Sequence, residues 1–135
     1  MNLDAKGRLS VPTRHRDALV QAAAGQLTLT YSPDGCLLVF PRPEWEALRE
    51  RIVKLPESAK WWKRVFLGNA QDVEMDGTGR VLVAPELRQA AKLSRSVLLL
   101  GMGNHFELWD KAIYEQEQAR AMQEEVPDAL KDFVF

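Results

Sequence analysis

The residues of this sequence best suited to binding another molecule are basic side chains beside two similar turn signals. The pattern Asp-x-x-Gly-Arg occupies residues 4–8 and recurs at residues 76–80. In such a pattern the glycine supplies the positive φ angle of a tight turn, and the aspartate can accept hydrogen bonds from backbone amides across it. The residues that we assign to these structural turns are Asp4, Gly7, Asp76 and Gly79. The chemistry open to the adjacent cations is phosphate binding, since each can neutralise one phosphate of a polyanion.

Four cations are best placed for this chemistry: Lys6, Arg8, Arg14 and Arg80. Lys6 and Arg8 are two residues apart and project from the same face if a strand begins at the turn. Arg14 follows at the start of the next helix, whose free backbone amides can also hold a phosphate. Arg8 is the strongest candidate because its planar guanidinium group can contact a phosphate or a guanine edge through two N–H groups at once. The alternative is that Arg8 and Arg80 only pair with the aspartates of their own turns.

The distribution of charge permits an anionic partner although the net charge is −1. Residues 1–20 carry four basic groups against two acidic ones, and residues 75–104 again carry four against two. Residues 105–135 carry three basic groups against eight acidic ones. The local field around a surface matters more for phosphate binding than the sum over the chain. The two basic stretches therefore allow DNA binding, although solvated helix faces can show the same pattern.

The sequence argues against an enzyme, a metal site and a membrane span. No Ser/His/Asp, paired-carboxylate or metal-ligand arrangement is apparent, so we predict no catalytic residues, no metal, no cofactor and no small-molecule substrate. The lone Cys36 excludes an intramolecular disulfide and fits a reducing compartment. No apolar run approaches the roughly 20 residues that cross a bilayer. Since no leader segment is evident, we expect the protein in the cytoplasm.

The chain repeats itself, and the two turn signals belong to the repeat. Residues 4–11 align with residues 76–83 at an offset of 72. Residues 36–40 align with residues 105–109 at an offset of 69, so a connection in the second copy is three residues shorter. Two copies with the same order of elements indicate the duplication of one structural unit.

Each copy predicts the same elements after its turn. A short strand comes first, and a proline then begins a short helix. In the first copy this helix covers residues 13–23, and Gly25 just beyond it prevents the helix from continuing. A β-hairpin follows, and its predicted strands are residues 27–31 and 36–40 in the first copy and residues 97–100 and 105–109 in the second. Further helices begin near Pro43, Pro56 and Asp110.

Apolar side chains at helical spacing indicate which faces of these helices are buried. In the first helix we predict that the inward residues are His15, Ala18, Leu19 and Ala22. The aromatic residues of the later helices are more typical of packing than of a ligand site, and these are Trp45, Trp61, Trp62 and Phe66. The chain ends on Phe133-Val134-Phe135, which could either dock onto a neighbouring subunit or fray.

Taken together, these motifs resemble the MraZ family of bacterial transcriptional regulators, which have two tandem SpoVT-AbrB-like domains. A single Asp-x-x-Gly-Arg would say little. Two of them about 72 residues apart, each followed by a strand, a proline, a helix and a hairpin, are specific. The resemblance covers essentially the whole chain, and the segments that carry it are residues 3–14, 37–43 with Trp45, 67–68, 75–80, 84–88 and 106–110.

The resemblance implies an α+β, β-rich fold in which two tandem AbrB-like swapped-hairpin modules form a pseudo-dimeric barrel with flanking helices. On this basis the chain divides into a first module over residues 1–50, a helical linker over residues 51–74, and a second module with a C-terminal helix over residues 75–135. Members of the family begin several residues earlier, with a strand that carries a basic residue. We therefore expect the first module to lack its initial strand.

The resemblance also implies a function. Family members are similar in forming a homo-oligomeric ring that binds repeated boxes of promoter DNA, commonly as a repressor of the division and cell-wall gene cluster. Such a protein would work in the cytoplasm at the nucleoid. AbrB-like modules use basic residues at the positions of Arg16 and Arg88 to contact DNA, and both could equally be surface residues of their helices.

The second copy is less well equipped for DNA than the first. Thr78 occupies the position of Lys6, and Glu86 occupies the position of Arg14. Each replacement removes one cation that could neutralise a phosphate. We therefore expect the first copy to dominate DNA contact and the second copy to serve assembly.

Two functions from other classes remain open. The AbrB-type fold also serves antitoxins that cap a toxin through a disordered tail, and here the second copy and the helical C-terminus argue against that role. The other is a ring-forming scaffold without DNA activity, which gains weight if the initial strand is missing. Loss of DNA binding in Arg8→Ala with retention of the ring mass would separate a regulator from a scaffold.

Overall fold

The computed structural model describes residues 1–133, and in this range the protein is a mixed α/β fold with two antiparallel sheets. Its elements in chain order are β1 (Arg8–Ser10), α1 (Thr13–Ala23), β2 (Gln26–Tyr31), β3 (Leu37–Pro41), α2 (Arg42–Val53), a 3-10 turn (Glu57–Ala59), α3 (Lys60–Gly68), β4 (Gln71–Glu74), β5 (Arg80–Leu82), α4 (Pro85–Ala90), β6 (Val97–Gly101), β7 (Phe106–Asp110), α5 (Lys111–Ala121) and α6 (Asp128–Lys131). No helix in residues 1–133 is long and apolar enough to cross a membrane.

Both sheets are assembled from both copies of the repeat. The larger sheet has five strands in the order β4-β2-β3-β7-β6. Its centre is the β3–β7 pair, which joins the hairpin of the first copy to that of the second and places Leu37 opposite Leu108. The smaller sheet is a two-stranded ribbon in which β1 and β5 pair antiparallel, with Leu9 opposite Val81. The two predicted hairpins, β2–β3 and β6–β7, are confirmed.

The residues before each turn pair with the hairpin of the other copy. β4 pairs with β2 along its length. Before the first turn, Asn2 forms an isolated antiparallel bridge with Ser96, and the amide of Leu3 donates to the carbonyl of Arg95 at 2.8 Å. The sequence predicted a helical linker over residues 51–74, but its last residues form β4. This strand is short and mostly polar, and only Val73 packs against the core, so its sequence signal is weak.

The barrel expected from the resemblance does not close within residues 1–133. Each strand of the β1–β5 ribbon is three residues long, and the ribbon pairs with no strand of the larger sheet, whose edges are β4 and β6. The two sheets meet through side chains instead. Leu9 and Val81 from the ribbon share one apolar cluster with Leu29 and Leu108 from the larger sheet. Strands this short leave too few backbone groups for continuous pairing, so burial of apolar side chains holds the sheets together.

The first helix covers its predicted range, but fewer of its predicted inward residues are buried. α1 ends at a left-handed Ala24 with φ of 52°, followed by Gly25 with φ of 76°, as a C-terminal glycine signal requires. Leu19 is buried, whereas Ala18 and Ala22 are exposed and border an open cleft, so their predicted burial is wrong. The helix is short and rests on the sheet along a single line of residues. Small side chains beside that line do not reach the sheet.

The aromatic residues of the later helices divide into two groups. Trp45 is buried in a second apolar cluster, and Phe66 packs against it. Trp61 and Trp62 leave 73% and 50% of their surface exposed, so the expectation that they pack within their own chain is wrong. α3 reaches the sheet through its C-terminal half, and its first turn therefore points its large side chains into solvent.

The C-terminal region begins as the sequence predicted. Asp110 caps α5, and its Oδ2 atom accepts a hydrogen bond from the amide of Ile113 at 3.2 Å. The short helix α6 follows Pro127. Of the terminal Phe133-Val134-Phe135, the last two residues lie outside the described residues.

Candidate nucleic-acid interface

The first turn is built around the carboxylate of Asp4. Its Oδ1 atom accepts hydrogen bonds from the amides of Lys6 and Arg8, at 2.9 and 2.8 Å. The amide of Gly7 donates to the carbonyl of Asp4 at 3.0 Å, and the amide of Asp4 donates to the carbonyl of Arg8 at 2.9 Å. Gly7 has a φ of 80°, a conformation that glycine adopts at little cost. The turn therefore has one carboxylate at its centre and one arginine at its exit.

The second turn repeats this arrangement atom for atom. Oδ1 of Asp76 accepts from the amides of Thr78 and Arg80, both at 2.9 Å, and the hydroxyl group of Thr78 adds a third hydrogen bond at 2.8 Å. Gly79 has a φ of 81°. Because the hydrogen bonds match those of the first turn, each arginine leaves its turn in the same direction relative to its own aspartate.

Both aspartates hold the arginine of their own turn by one edge of the guanidinium group. Nε of Arg8 donates to Oδ2 of Asp4 at 2.7 Å, and Nε of Arg80 donates to Oδ2 of Asp76 at 3.1 Å. The two arginine side chains remain 30% and 37% exposed. Their Nη groups make no hydrogen bond within residues 1–133. The pairing left open by the sequence is thus present, and it orients each guanidinium group with its terminal N–H groups unused.

Hydrogen bonding keeps the two carboxylates ionised. The backbone amide of Arg8 is the largest influence that lowers the pKa of Asp4, and the side chain of Arg8 and the amide of Lys6 act in the same direction. The pKa of Asp76 is lowered chiefly by the amide of Arg80, and then by the hydroxyl group of Thr78. The aspartate of each turn therefore balances the charge of the arginine of that turn at neutral pH. Additional cations are needed to make the surface attractive to an anion.

The ribbon brings the two arginines together on one face. Leu9 and Val81 are buried, so the residues that flank them on each strand point outward. The register places Ser10 directly opposite Arg80, and Arg8 lies two residues earlier on the same face. Arg8 and Arg80 are therefore diagonal neighbours, a relationship that separates positions by about 7–8 Å. We call this outward surface of β1 and β5 the ribbon face.

Lys6 and Arg14 supply the uncompensated positive charge near the ribbon. β1 begins at Arg8, so Lys6 lies within the turn, and the argument that it shares a strand face with Arg8 does not apply. Both Lys6 and Arg14 are exposed. Arg14 lies in the first turn of α1, and its Nε approaches Nε2 of His15 at 3.2 Å. Among residues 1–133, no carboxylate pairs with either cation.

Arg16 and Arg88 are placed differently from the other candidates. Both are half-buried. Nε of Arg88 donates to the carbonyl of Val83 at 3.0 Å, and a Cβ atom built on Gly7 would stand 2.6 Å from its Cζ. Arg16 lies against Gly79 in the same manner. Each arginine thus covers the turn of the other copy.

One further cation beside the first turn was not a candidate from the sequence. Arg95 is exposed, and it lines a cleft of about 600 Å³ together with Leu3, Asp4, Ala5, Arg88, Leu93 and Ser94. Its carbonyl accepts the amide of Leu3, which holds this part of the second copy next to the first turn. The only sequence signal for Arg95 was its place in the basic stretch of residues 75–104.

The described residues offer little to other chemistries. Within residues 1–133, no group of three His, Cys, Asp or Glu side chains is arranged to hold a metal ion. Cys36 is buried, and this burial raises the pKa of its thiol to about 12, so the thiol stays protonated at neutral pH.

The chain is similar to known proteins over its whole length. The curated relatives are named as transcriptional regulators. A family model described as "MraZ protein, putative antitoxin-like" matches residues 1–64 and 66–133. The chain belongs to the MraZ family, and the resemblance drawn from its motifs is confirmed.

The similarity to individual relatives extends over the whole chain. The chain is 75% identical to the transcriptional regulator MraZ of Acidovorax sp. (strain JS42) over 135 residues, which are 100% of this chain and 95% of that protein. It is 70% identical to the transcriptional regulator MraZ of Variovorax paradoxus (strain S110), and 64% identical to that of Cupriavidus pinatubonensis (strain JMP 134 / LMG 1197), with the same coverage of both chains.

Proposed function

We propose that this protein regulates transcription by binding double-stranded promoter DNA through the ribbon face and the two turns beside it. The observation that carries the proposal is the diagonal placement of Arg8 and Arg80 on one exposed face. Each guanidinium group is held through Nε, so its Nη groups can donate to a phosphate or a base edge. Lys6 and Arg14 add charge that no carboxylate in the described part of the chain cancels.

The first copy would contribute more to this binding than the second. Its turn carries Lys6, where the second turn carries Thr78, and its helix begins with Arg14, where α4 carries Glu86. Arg95 from the second copy adds another cation beside the first turn. Since each neutralised phosphate adds to the affinity and to its salt dependence, the field around the first turn would set most of both.

Arg16 and Arg88 would act in a second way. Both carry a guanidinium group that covers the opposite turn and donates to a backbone carbonyl. We infer that they hold the two turns in register, so that the ribbon face keeps its shape on DNA. A direct phosphate contact from either residue, which the family resemblance implies, remains the alternative.

The domain organisation that we propose is a pair of interlocked modules. The amide of Val83 donates to the carbonyl of Gly7, and the amide of Val11 donates to the carbonyl of Gly79, both at 2.9 Å. This exchange between the copies supports swapped-hairpin modules, as do the two ranges matched by the family model. The sequence placed module boundaries after residues 50 and 74. The second boundary would move to the start of β4, because β4 leads into the second turn and pairs with β2 of the first copy.

The remaining parts of the proposal come from the family resemblance. The protein would form a ring whose subunits bind repeated promoter boxes, would repress the division and cell-wall gene cluster, and would work in the cytoplasm at the nucleoid. One small ribbon binds weakly by itself. Several ribbons in a ring gain through effective concentration, on the order of 10²–10⁴-fold, when their spacing matches that of the boxes.

A mobility-shift assay with a salt titration tests the proposed function. The DNA is the segment upstream of the protein's own coding sequence, and the control is a duplex of the same composition in scrambled order. We expect at least about 10³-fold tighter binding to the natural segment, which is the low end for specific recognition. Equal retardation of the two duplexes at every salt concentration would contradict sequence-specific regulation.

A second candidate function is an antitoxin-type module, which the description of the family model favours. The exposed apolar residues after α5 could then cover a toxin. Neutralisation of a toxin encoded next to this protein, unchanged in the Arg8→Ala variant, would support this function. A scaffold role without DNA activity predicts instead that Arg8→Ala changes neither assembly nor any DNA retardation.

A further inference from the structure

The start of α3 presents a large apolar surface to solvent. Trp61 and Trp62 expose 73% and 50% of their surface, and Val53 and Leu55, just before them in the chain, expose 56% and 38%. A tryptophan buries up to about 250 Å² when it is covered, so the two together leave on the order of 250–300 Å² uncovered. The largest apolar patch on a typical monomer is about 300–600 Å² and often has a function, so the two tryptophans together with Val53 and Leu55 are a candidate contact surface. We call it the tryptophan face.

The tryptophan face is held in place. Nζ of Lys63 donates to the carbonyl of Val53 at 3.1 Å and thereby ties the start of α3 to the end of α2. The guanidinium group of Arg64 lies 4.6 Å from the centroid of the Trp61 ring. Behind the face, Phe66 packs against the second apolar cluster. The tryptophans are therefore exposed on an anchored helix, and a partner would meet a surface that is already ordered.

The tryptophan face is also basic. The three cations of α3, at Lys60, Lys63 and Arg64, fall in its first five residues, and the helix contains no acidic residue. Lys60 pairs with Glu57 of the preceding 3-10 turn. Two such faces would bring like charges together, so a contact of this face with itself is disfavoured. A partner with apolar side chains and negative charge suits it better.

The end of the same chain has the complementary properties. Met122, Val126 and Leu130 expose 76%, 61% and 51% of their surface. Residues 122–133 carry four acidic groups against one basic group. We call these residues the C-terminal segment. It combines spaced apolar side chains with negative charge, and the tryptophan face combines apolar rings with positive charge.

We propose that the C-terminal segment of one subunit docks on the tryptophan face of the next subunit. Such a contact joins two different surfaces, and repeated head-to-tail contacts close into a ring when their rotation allows it. The inference gives the proposed ring its subunit interface and rests on the proposed function for the assembly alone. The apolar surfaces would supply most of the affinity, while the opposite charges would fix the pairing of unlike surfaces.

Two variants test the contact from its two sides. The face variant is Trp61→Ala/Trp62→Ala, and the segment variant is Val126→Ser/Leu130→Ser. All four positions are exposed, so circular dichroism should show an unchanged fold. Val20→Ser, an exposed apolar position on α1, is the matched control. Light scattering should give an oligomer for the unaltered protein and the control, and a single chain for each variant.

Mixing the two variants gives the sharpest result. The face variant keeps an intact segment and the segment variant keeps an intact face, so the mixture can form one contact and should yield a dimer with one chain of each. A mixture that stays monomeric, a variant that keeps the oligomer mass, or an unaltered protein that is monomeric at high concentration would each overturn the proposal.

DNA binding separates this inference from the proposed function. On a duplex with several boxes, each variant should bind about 10²-fold more weakly than the unaltered protein, since it loses the gain from linked sites. On a duplex with a single box, its affinity should be unchanged. If the unaltered protein forms the oligomer through these surfaces but retards no DNA, the proposed function fails and the interface stands. If the unaltered protein binds a single box weakly but never oligomerises, the interface fails and the proposed DNA binding stands.

Discussion

The guanidinium group of Arg88 lies against Gly7, in the space that a side chain at residue 7 would occupy. A Cβ atom built there would stand 2.6 Å from Cζ of Arg88. Gly7 belongs to the first turn and Arg88 to α4 of the second copy. The reciprocal contact, between Arg16 and Gly79, is closer still. The turns that carry the candidate DNA contacts are therefore clamped by arginines of the opposite copy.

This contact predicts that Gly7→Ala costs more than the same change at a glycine with open space around it. The substitution meets the strain of a positive φ, and it displaces the flexible end of Arg88 from its hydrogen bond to Val83, so the free energy of unfolding should fall by roughly 2–3 kcal/mol. Gly35→Ala is the control, because Gly35 also has a positive φ but has nothing within 4 Å of the added Cβ. Urea titrations measure both. In an Arg88→Ala background the cost of Gly7→Ala should fall to that of Gly35→Ala, and equal costs in the unaltered background would contradict the clamp.

Removing Arg88 or Arg16 should change the free energy of unfolding and leave the number of phosphate contacts unchanged. Arg88→Ala and Arg16→Ala each lose a hydrogen bond to a backbone carbonyl and the cover of a buried glycine. We expect each to lower the free energy of unfolding by about 1–2 kcal/mol. DNA binding should weaken with no change in the slope of log affinity against log salt. If the slope becomes shallower by about 1, the arginine contacts a phosphate directly.

The elements that the sequence predicted well are those with strong local signals. The range of α1 follows from Pro12 and Gly25 at its ends, and both hairpins follow from apolar runs on either side of a turn. The turns themselves follow from the spacing of Asp4, Gly7 and Arg8. Each of these signals lies within one short stretch of the chain, so no knowledge of the tertiary structure is needed to see it.

The relationships that the sequence did not predict are those made between distant segments. The pairing of β1 with β5, which sets Arg8 beside Arg80, depends on a register that neither strand encodes alone. The contact of Arg88 with Gly7 and the pairing of β4 with β2 have the same origin. The exposure of Trp61 was mispredicted because hydrophobic periodicity does not distinguish a face that meets its own chain from a face left to solvent.

Acid should weaken the turns over a defined range of pH. The pKa values of Asp4 and Asp76 are lowered in the folded protein by hydrogen bonds to the ionised form. Their contribution to stability is therefore complete above their ordinary pKa near 3.8 and is lost as the pH falls toward the folded values. The double variant Asp4→Asn/Asp76→Asn should be less stable at neutral pH and should lose less stability between about pH 4 and pH 2.

Thermal unfolding at a series of pH values measures this effect. The control is Asp17→Asn, an exposed carboxylate of α1 without an ion pair in the described part of the chain. Its pH profile should follow that of the unaltered protein. Parallel profiles for the double variant and the unaltered protein would mean that the turn carboxylates do not stabilise the fold through their ionised form.

Lys6 and Thr78 occupy the same position in the two turns, and changing each to the other residue should change the affinity for DNA in opposite directions. Lys6→Thr removes one uncompensated cation from the first turn, and Thr78→Lys adds one to the second. At low salt we expect the first change to weaken DNA binding by about 3- to 10-fold and the second to strengthen it by a similar factor. The salt slope should fall and rise by about 1, respectively. A fluorescence anisotropy titration checks both, and a Thr78→Lys variant with unaltered affinity would place the second turn away from the DNA.

If the ribbon face contacts DNA, Arg8→Ala should weaken that contact. The matched control is Arg49→Ala, an exposed arginine of α2 that makes no ion pair within residues 1–133. Binding to the protein's own upstream DNA, measured over a range of salt, should weaken at least about 10-fold in Arg8→Ala, with a salt slope that is shallower by about 1, while the oligomer mass stays the same. Arg49→Ala should match the unaltered protein in all three respects. If Arg8→Ala binds as tightly as Arg49→Ala, with the same slope, the ribbon face is not the DNA-binding surface.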